Sequence, residues 1–173
     1  MKERLTSGVY FKPKEGENRI RVVSQPLEVW KAFNQATKKA SVYVTEEGAK
    51  GDKNAKPRFL LYILNRGLGN TLQQAEFGAQ IMTQFLDLAT MSESGFSDLP
   101  PYDMILTKTG SGMETEYKLH ASRQNTELTA EEIKLVESAK PILDLLREDE
   151  SVVDAKSLEG EINDEALNKI FGT

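Results

Sequence analysis

The alternation of polar and apolar residues predicts strands in the first part of the chain. The segment 18–23 has the sequence Asn-Arg-Ile-Arg-Val-Val, so a strand there places Ile20 and Val22 on one face and Arg19 and Arg21 on the other. This pattern is typical of a strand with one face in the core and the other toward solvent.

Three further extended segments follow. Residues 27–33 and 41–45 are rich in β-branched and aromatic residues, whereas residues 46–56 contain no apolar residue larger than Ala and predict an exposed loop. Residues 58–66 contain a long apolar run and predict a central strand. One face of that strand carries Phe59, Leu61 and Ile63, and the other carries Arg58, Tyr62 and Arg66.

One amphipathic helix and one hairpin follow the turn residues 67–70. Apolar residues recur at the spacing of a helix of about four turns, at Phe77, Ile81, Phe85 and Leu88. Residues 102–108 and 113–120 then predict two strands joined by the Gly-Ser-Gly sequence at 110–112. Because strands flank that sequence, a hairpin turn is a better interpretation than a phosphate-binding loop.

Helical signals return in the last third of the chain. Thr129 and Glu132 have the spacing of a capping box. One face of the helix that follows carries Leu135, Ala139, Ile142 and Leu146. Pro141 lies within this pattern and predicts a kink or a break. After Arg147 the chain is highly charged, which predicts a tail that is mobile unless it is docked, with a short amphipathic segment at residues 163–171.

The order of these elements predicts a mainly β fold. Five strands with a helix between strands 3 and 4 is the element order of an OB-fold, a five-stranded barrel whose open face commonly binds single-stranded nucleic acid or oligosaccharide. We therefore expect an OB-fold domain at residues 1–123, a C-terminal helical segment at residues 124–148 and an acidic flexible tail at residues 149–173.

Composition excludes several kinds of site. The 173 residues include no Cys and one His, so the chain has no disulfide, no thiolate zinc site and no cysteine nucleophile. No apolar window reaches the ~20 residues of a membrane span, and the first five residues lack the apolar region of a secretory signal. We therefore expect a cytoplasmic protein without membrane contact. No arrangement of residues supports catalysis, and we expect neither enzymatic activity nor a metal or other cofactor.

Charge is unevenly distributed along the chain. The formal net charge of -5 argues by itself against a nucleic-acid partner. Residues 1–66, however, contain 14 Lys or Arg and 7 Asp or Glu, whereas residues 124–173 contain 5 and 13. Twelve of the 13 aromatic residues precede residue 124. A basic, aromatic-rich body with an acidic tail is typical of nucleic-acid-binding proteins, although a globular domain with a solvated helix fits this composition equally well.

Binding of single-stranded nucleic acid needs cations along a groove and aromatic rings on which bases stack. The polar faces of the predicted strands supply both, at Arg19, Arg21, Trp30, Lys31, Tyr43, Arg58, Tyr62 and Arg66. Trp30 has an alternative interpretation as a core residue, because Val29 and Phe33 have the opposite parity and either face of that strand could be buried. Tyr62 shares its face with two Arg residues, which favours a surface position.

Three stretches together span most of residues 10–120. They are residues 10–21, the strand at residues 58–66 that ends in Asn-Arg, and residues 101–117. The last is the most specific, because it joins a Tyr-Asp strand, a Gly-Ser-Gly turn and a Thr-x-Tyr return strand. These stretches resemble the single-stranded DNA-binding proteins of tailed bacteriophages, including the T4-like helix-destabilising proteins. The resemblance implies an OB-fold that coats and protects single-stranded DNA in replication, recombination or repair.

One departure from the family concerns zinc. Many members carry a zinc-binding Cys cluster in the loop before the central strand, whereas residues 37–56 here contain neither Cys nor His. Zinc binding is therefore not expected in this chain.

The resemblance also implies that the acidic C-terminal segment binds partner proteins of replication or recombination. Within that segment we expect Leu167, Ile170 and Phe171 either to form the docking patch or to pack back on the body. The tail is also expected to compete with phosphate for the basic surface, and the protein to self-associate on DNA. Two alternatives remain: an annealing or recombination accessory factor, and a non-catalytic protein-interaction module with an OB-like barrel.

Overall fold

The computed structural model describes residues 9–155. The predicted docking residues Leu167, Ile170 and Phe171 lie outside the described residues. The described residues form two compact units, one from residues 9–27 and 59–139 and the other from residues 28–58 and 140–155. We call them unit one and unit two.

Strands predominate among the described residues, which contain seven strands and four α-helices. The strands are β1 (Gly16–Val22), β2 (Leu27–Asn34), β3 (Lys39–Tyr43), β4 (Lys56–Asn65), β5 (Thr71–Phe77), β6 (Tyr102–Thr109) and β7 (Glu116–Asn125). The helices are α1 (Glu46–Ala49), α2 (Ala79–Thr90), α3 (Ala130–Ser138) and α4 (Ile142–Glu148). Two 3-10 turns, Arg66–Leu68 and Gly112–Glu114, follow β4 and β6. The predicted mainly β fold is thus confirmed.

The strands of unit one pair in the order β5-β4-β1-β6-β7, and every pairing is antiparallel. Ile20 on β1 lies opposite both Asn65 on β4 and Met104 on β6. The predicted inward residues of β1 are confirmed, since Ile20 and Val22 are fully buried. They belong to a core to which β4, β5, β6, β7 and α2 also contribute.

Helix α2 packs beside β5 and β7, the two ends of this strand order. The Gln84 side chain donates to the carbonyl oxygen of Tyr117 at 2.8 Å and accepts from the backbone N–H of Leu119 at 2.8 Å. This amide makes the two hydrogen bonds that a neighbouring strand would make. It therefore satisfies the exposed backbone of β7, which would otherwise be a template for pairing with another chain.

Unit two contains an antiparallel β2–β3 pair in which Lys31 lies opposite Val42. Val42 also forms a parallel bridge with Val152, through backbone hydrogen bonds to Ser151 and Val153. Asp154 accepts hydrogen bonds from the backbone N–H groups of Val44 and Thr45 at 2.7 and 3.1 Å. Residues 151–154, expected to be part of a flexible tail, are therefore docked in unit two.

Strand β5 was not expected from the sequence, and the predicted helix begins later than Phe77. Gln73 is the reason, because it is the first inward-facing residue of the strand, ahead of Ala75 and Phe77, and is 3% exposed. A polar residue on the buried face hides the period-two pattern. The strand ends at Phe77, and α2 begins at Ala79.

The two C-terminal helices begin and break where the sequence predicts, although Leu135 of the predicted apolar face is exposed. Thr129 and Glu132 form the predicted capping box at the start of α3. Pro141 is the N-cap of α4, so the predicted break falls between α3 and α4. Among residues 9–155, no helix is both long enough and apolar enough to cross a membrane.

Candidate nucleic-acid interface

Unit one has a concave surface, with a volume of about 410 Å³, that is lined by positively charged side chains and an aromatic ring. Lys12, Lys14 and Arg19 line it together with one acidic residue, Glu17. Tyr10 lies in the same lining and is 46% exposed. We call this surface the basic groove. Its lining joins three positive charges to a ring on which a base can stack, the combination that single-stranded nucleic acid requires.

Asn18 shapes the segment that carries the groove's lysines. Its side-chain amide donates to the carbonyl oxygens of Lys14, Gly16 and Leu106, and its oxygen accepts from the backbone N–H of Lys14 at 3.0 Å. The residue is 6% exposed, and Gly16 has a φ of +92°, a conformation that favours glycine. Residues 14–18 thus form a fixed turn, which positions Lys14 at the edge of β1.

The N-terminal end of the groove is a short segment paired with β5. Phe11 donates its backbone N–H to the Gln74 carbonyl at 2.7 Å, and Gln74 donates to the Val9 carbonyl at 2.7 Å. Phe11 is buried in the core, whereas Tyr10 and Lys12 point away from it and line the groove. Backbone pairing therefore fixes the position of Tyr10.

Arg19 is the predicted contact that lies in the groove. Its side chain is 50% exposed, and its Nε donates to Asp103 Oδ2 at 3.0 Å. Its Nη2 lies 3.3 Å from Ser122 Oγ. These bonds hold the guanidinium on the surface while leaving half of the side chain open to solvent. A fixed, exposed guanidinium suits a phosphate contact.

Arg21 is buried rather than open to a ligand. It is 5% exposed, and its guanidinium donates to the Thr126 hydroxyl at 2.9 Å and to the Thr126 carbonyl at 2.7 Å. Asp103 lies 3.7 Å away and partly compensates the buried charge. Burial lowers the pKa of Arg21, with repulsion from Arg66 acting in the same direction and Asp103 opposing it. Arg21 thus has a structural role, which corrects its expected place on an open face.

Arg66 also lies within an ionic cluster. Its Nε donates to Asp103 Oδ1 at 3.2 Å, and its Nη1 donates to Glu132 Oε2 and to Asn70 Oδ1. Although burial acts to lower it, the pKa of Arg66 is raised because Glu132 and Asp103 stabilise the charged form. We call Arg19, Arg21, Arg66, Asp103 and Glu132 the arginine cluster.

Tyr62 is half-buried on β4, on the face opposite to Leu61 and Ile63. It lies across from Gln74, which in turn bridges to Tyr10, so the three residues form a row on one face. Burial raises the pKa of Tyr62, and nearby Tyr10 adds to the effect. The predicted aromatic residue of β4 therefore lies on the same face as Tyr10, with Gln74 between them.

Two predicted aromatic contacts are neighbours in unit two. Trp30 and Tyr43 lie directly opposite each other across β2 and β3, which places both rings on one face of the hairpin. Both are half-buried. The Tyr43 hydroxyl donates to Asp52 Oδ2 at 3.0 Å, and this bond, with burial, raises the pKa of Tyr43. Lys31 and Arg58, also predicted contacts, are half-buried in the same unit.

The aromatic residue and both lysines that line the groove were not among the predicted contacts: Tyr10, Lys12 and Lys14. A signal for them exists in the sequence. Tyr10-Phe11-Lys12-Pro13-Lys14 alternates so that an extended chain places one aromatic and two cations on the side opposite to Phe11. The segment is too short and too close to a proline to be recognised as a strand, so the pattern does not stand out in the sequence.

Comparison of the chain with protein-family models, curated proteins and solved structures gives no match. The bacteriophage family resemblance therefore stays a prediction. Residues 9–155 contain no group of three or more His, Cys, Asp or Glu side chains arranged to hold a metal ion.

Proposed function

We propose that this protein binds single-stranded DNA without sequence specificity and without catalysis. The observation that carries the proposal is the basic groove, in which Tyr10 lies beside Lys12, Lys14 and Arg19. Cations along a groove neutralise phosphates, and an exposed ring stacks on any base, so neither contact depends on sequence. Coating and protecting the strand is the activity that such contacts support.

The order of strands in unit one supports an OB-fold as the basis of this function. Without the β2–β3 hairpin, the strands β1, β4, β5, β6 and β7 follow one another with α2 between the third and the fourth, as in an OB-fold. In this assignment Tyr62 and Gln74 lie side by side on the second and third strands. OB-folds bind oligonucleotides on the face of those strands.

The same assignment relates two connections between strands to oligonucleotide binding. The β2–β3 hairpin falls in the connection between the first and second strands, and the turn after Thr109 falls between the fourth and fifth. OB-folds use these two connections for oligonucleotide contacts. The Trp30–Tyr43 pair thus lies in a segment that an OB-fold assigns to binding. We include Trp30, Tyr43, Lys31 and Arg58 in the proposed interface as a second surface.

The proposal is tested by fluorescence anisotropy of a labelled oligo-dT titrated with the full chain at several salt concentrations, with duplex DNA as a competitor. Tyr10→Ala is expected to weaken binding by about 1–3 kcal/mol, which is the stacking energy of one base. Replacing Lys12 and Lys14 by Gln is expected to weaken binding and to lower the salt slope by about 0.7 for each phosphate that is no longer neutralised.

Lys118→Gln is the matched control, because it removes one positive charge from an exposed residue of β7 that does not line the groove. Equal reductions in affinity for Lys118→Gln and for a groove lysine would show that only total charge matters. If the wild-type chain fails to bind oligo-dT at low salt, the proposed function is wrong.

A further inference from the structure

Helix α3 is attached to unit one by an unusual set of side chains. Its one buried residue is Glu132, which is 6% exposed. Its apolar residues Ile133 and Leu135 are each 43% exposed. Most surface helices are held by an apolar stripe that packs on the core. In α3 the buried residue is instead a carboxylate, while Val136 is half-buried. A carboxylate contact can be exchanged for a contact with another anion.

The partner of that carboxylate belongs to the arginine cluster. Glu132 accepts from Arg66, and Asp103 pairs with Arg66 at 3.2 Å and with Arg19 at 3.0 Å. The cluster thus holds three guanidinium groups against two carboxylates. Removing Glu132 from it would leave three positive charges facing Asp103 alone. Such an excess of positive charge, with Arg21 and Arg66 largely buried, attracts an anion.

The cluster is continuous with the basic groove. Arg19 belongs to both, and Asn65 and Gly67, the chain neighbours of Arg66, line the groove. A strand that follows Lys12, Lys14 and Arg19 would therefore reach Arg66 next, at the point where Glu132 now lies. Phosphate and carboxylate bind a guanidinium fork with the same geometry, so they compete for one position.

We propose that α3 is a displaceable lid on the proposed DNA-binding surface. Glu132 occupies the position of a backbone phosphate on Arg66, and bound single-stranded DNA takes its place. This inference rests on the proposed function. Ile133 and Leu135 are each 43% exposed already, so only part of their apolar surface is added to the solvent-exposed area when the lid departs. The capping bond from the Thr129 backbone N–H goes to Glu132 Oε1, so loss of the Arg66 contact leaves this bond in place.

Glu132→Gln tests the lid, because Gln preserves the size of the side chain and can complete a capping box while removing the charge that holds Arg66. Glu131→Gln removes the same charge from an exposed position of the same turn. We expect Glu132→Gln to bind oligo-dT about 3- to 10-fold more tightly than Glu131→Gln at low salt, with a salt slope steeper by about 0.7 for one added phosphate contact. Equal affinity of the two variants would show that α3 is not a displaceable lid.

A second measurement on the wild-type chain does not depend on the stability of a variant. Hydrogen exchange of the amides of Ala130–Ser138 is followed with and without saturating oligo-dT. A nine-residue helix is marginal without tertiary contacts, so displacement is expected to speed its exchange. Unchanged or slower exchange at saturation would overturn the lid while leaving the proposed function intact. Failure of the wild-type chain to bind at all would instead refute the proposed function.

Discussion

Asn18 is a buried polar residue on which the geometry of the basic groove depends. Its side chain makes four hydrogen bonds, three of them to carbonyl oxygens of residues 14, 16 and 106. We expect Asn18→Ala to lower the free energy of unfolding by about 1–3 kcal/mol, because the buried backbone partners lose their bonds. The variant is also expected to bind oligo-dT more weakly, since Lys14 loses its fixed position.

Urea unfolding and anisotropy measure these two effects, and Asn125→Ala is the control because Asn125 is exposed at the end of β7. If Asn18→Ala has reduced stability but normal oligo-dT affinity, Asn18 does not determine the binding geometry of the groove.

Glu132 gives a prediction for the pH dependence of stability. Burial opposes its charge, but the Thr129 backbone N–H and the Arg66 guanidinium bind the carboxylate, and the pKa of Glu132 is lowered from the ordinary value of 4.5. A lowered pKa in the folded state means that ionised Glu132 stabilises the fold above about pH 4.5, and that this contribution is lost as the pH falls through the folded pKa.

The stability difference between wild type and Glu132→Gln is therefore expected to be constant at neutral pH and to shrink below about pH 4.5. Urea unfolding of both proteins between about pH 3 and 7 measures it. A difference that is the same at every pH would show that the carboxyl does not contribute through its charge.

The arginines show which features of single residues can be predicted from the sequence. Alternation placed Arg19 and Arg21 on the face of β1 opposite to Ile20 and Val22, and the burial of Ile20 and Val22 agrees. Arg66 was expected at the end of β4 but lies in the 3-10 turn that follows it. Alternation carries no information on what covers a polar face. Asp103 and Thr126 are more than 80 residues away from Arg21 in sequence, and they bury it. The distinction between a binding arginine and a structural one therefore needed the tertiary structure.

At the scale of elements, α2 protects the last strand of unit one. Gln84 bonds the backbone of Tyr117 and Leu119, in place of a strand neighbour. We expect Gln84→Ala to lower the free energy of unfolding by about 1–2 kcal/mol, because two backbone groups lose their partners. It should also promote concentration-dependent association through the uncovered edge of β7.

Gln80→Ala is the matched control for this variant, since it makes the same substitution one turn earlier at an exposed position of α2. Urea unfolding and sedimentation velocity distinguish the two proteins. Identical stability and sedimentation of the two variants would show that the edge of β7 does not need Gln84.

Elements were predicted best where packing follows a simple period. The long apolar run of β4, the helical spacing within α2 and the capping box of α3 all appear in the structure. Strand β5 was missed because Gln73 replaces an apolar residue on its inner face, where it accepts from the Asn65 amide at 3.0 Å. The buried Gln73 side chain needs a hydrogen-bond partner from another strand, and the local sequence pattern around Gln73 does not reveal that partner.

At the scale of the molecule, the acidic C-terminal end consists of a segment docked in unit two and the residues that follow Ala155. Residues 149–173 hold seven acidic and two basic side chains, of which Asp154 is fixed by Val44 and Thr45. Ending the chain after Ala155 therefore keeps this docking, whereas ending it after Glu148 removes it. The pair of truncations separates the effect of tail charge from the effect of removing the docked segment.

We expect the chain that ends at Ala155 to bind oligo-dT more tightly than the full chain at low salt, because residues 156–173 carry four acidic and two basic side chains that compete with phosphate. The chain that ends at Glu148 should bind more tightly still, but unfold at lower urea concentration because Val42 loses its backbone partners. Raising ionic strength toward about 1 M shortens the screening length to ~3 Å and should remove the affinity differences. Equal affinities of all three chains at low salt would show that the acidic end does not compete for the binding surface.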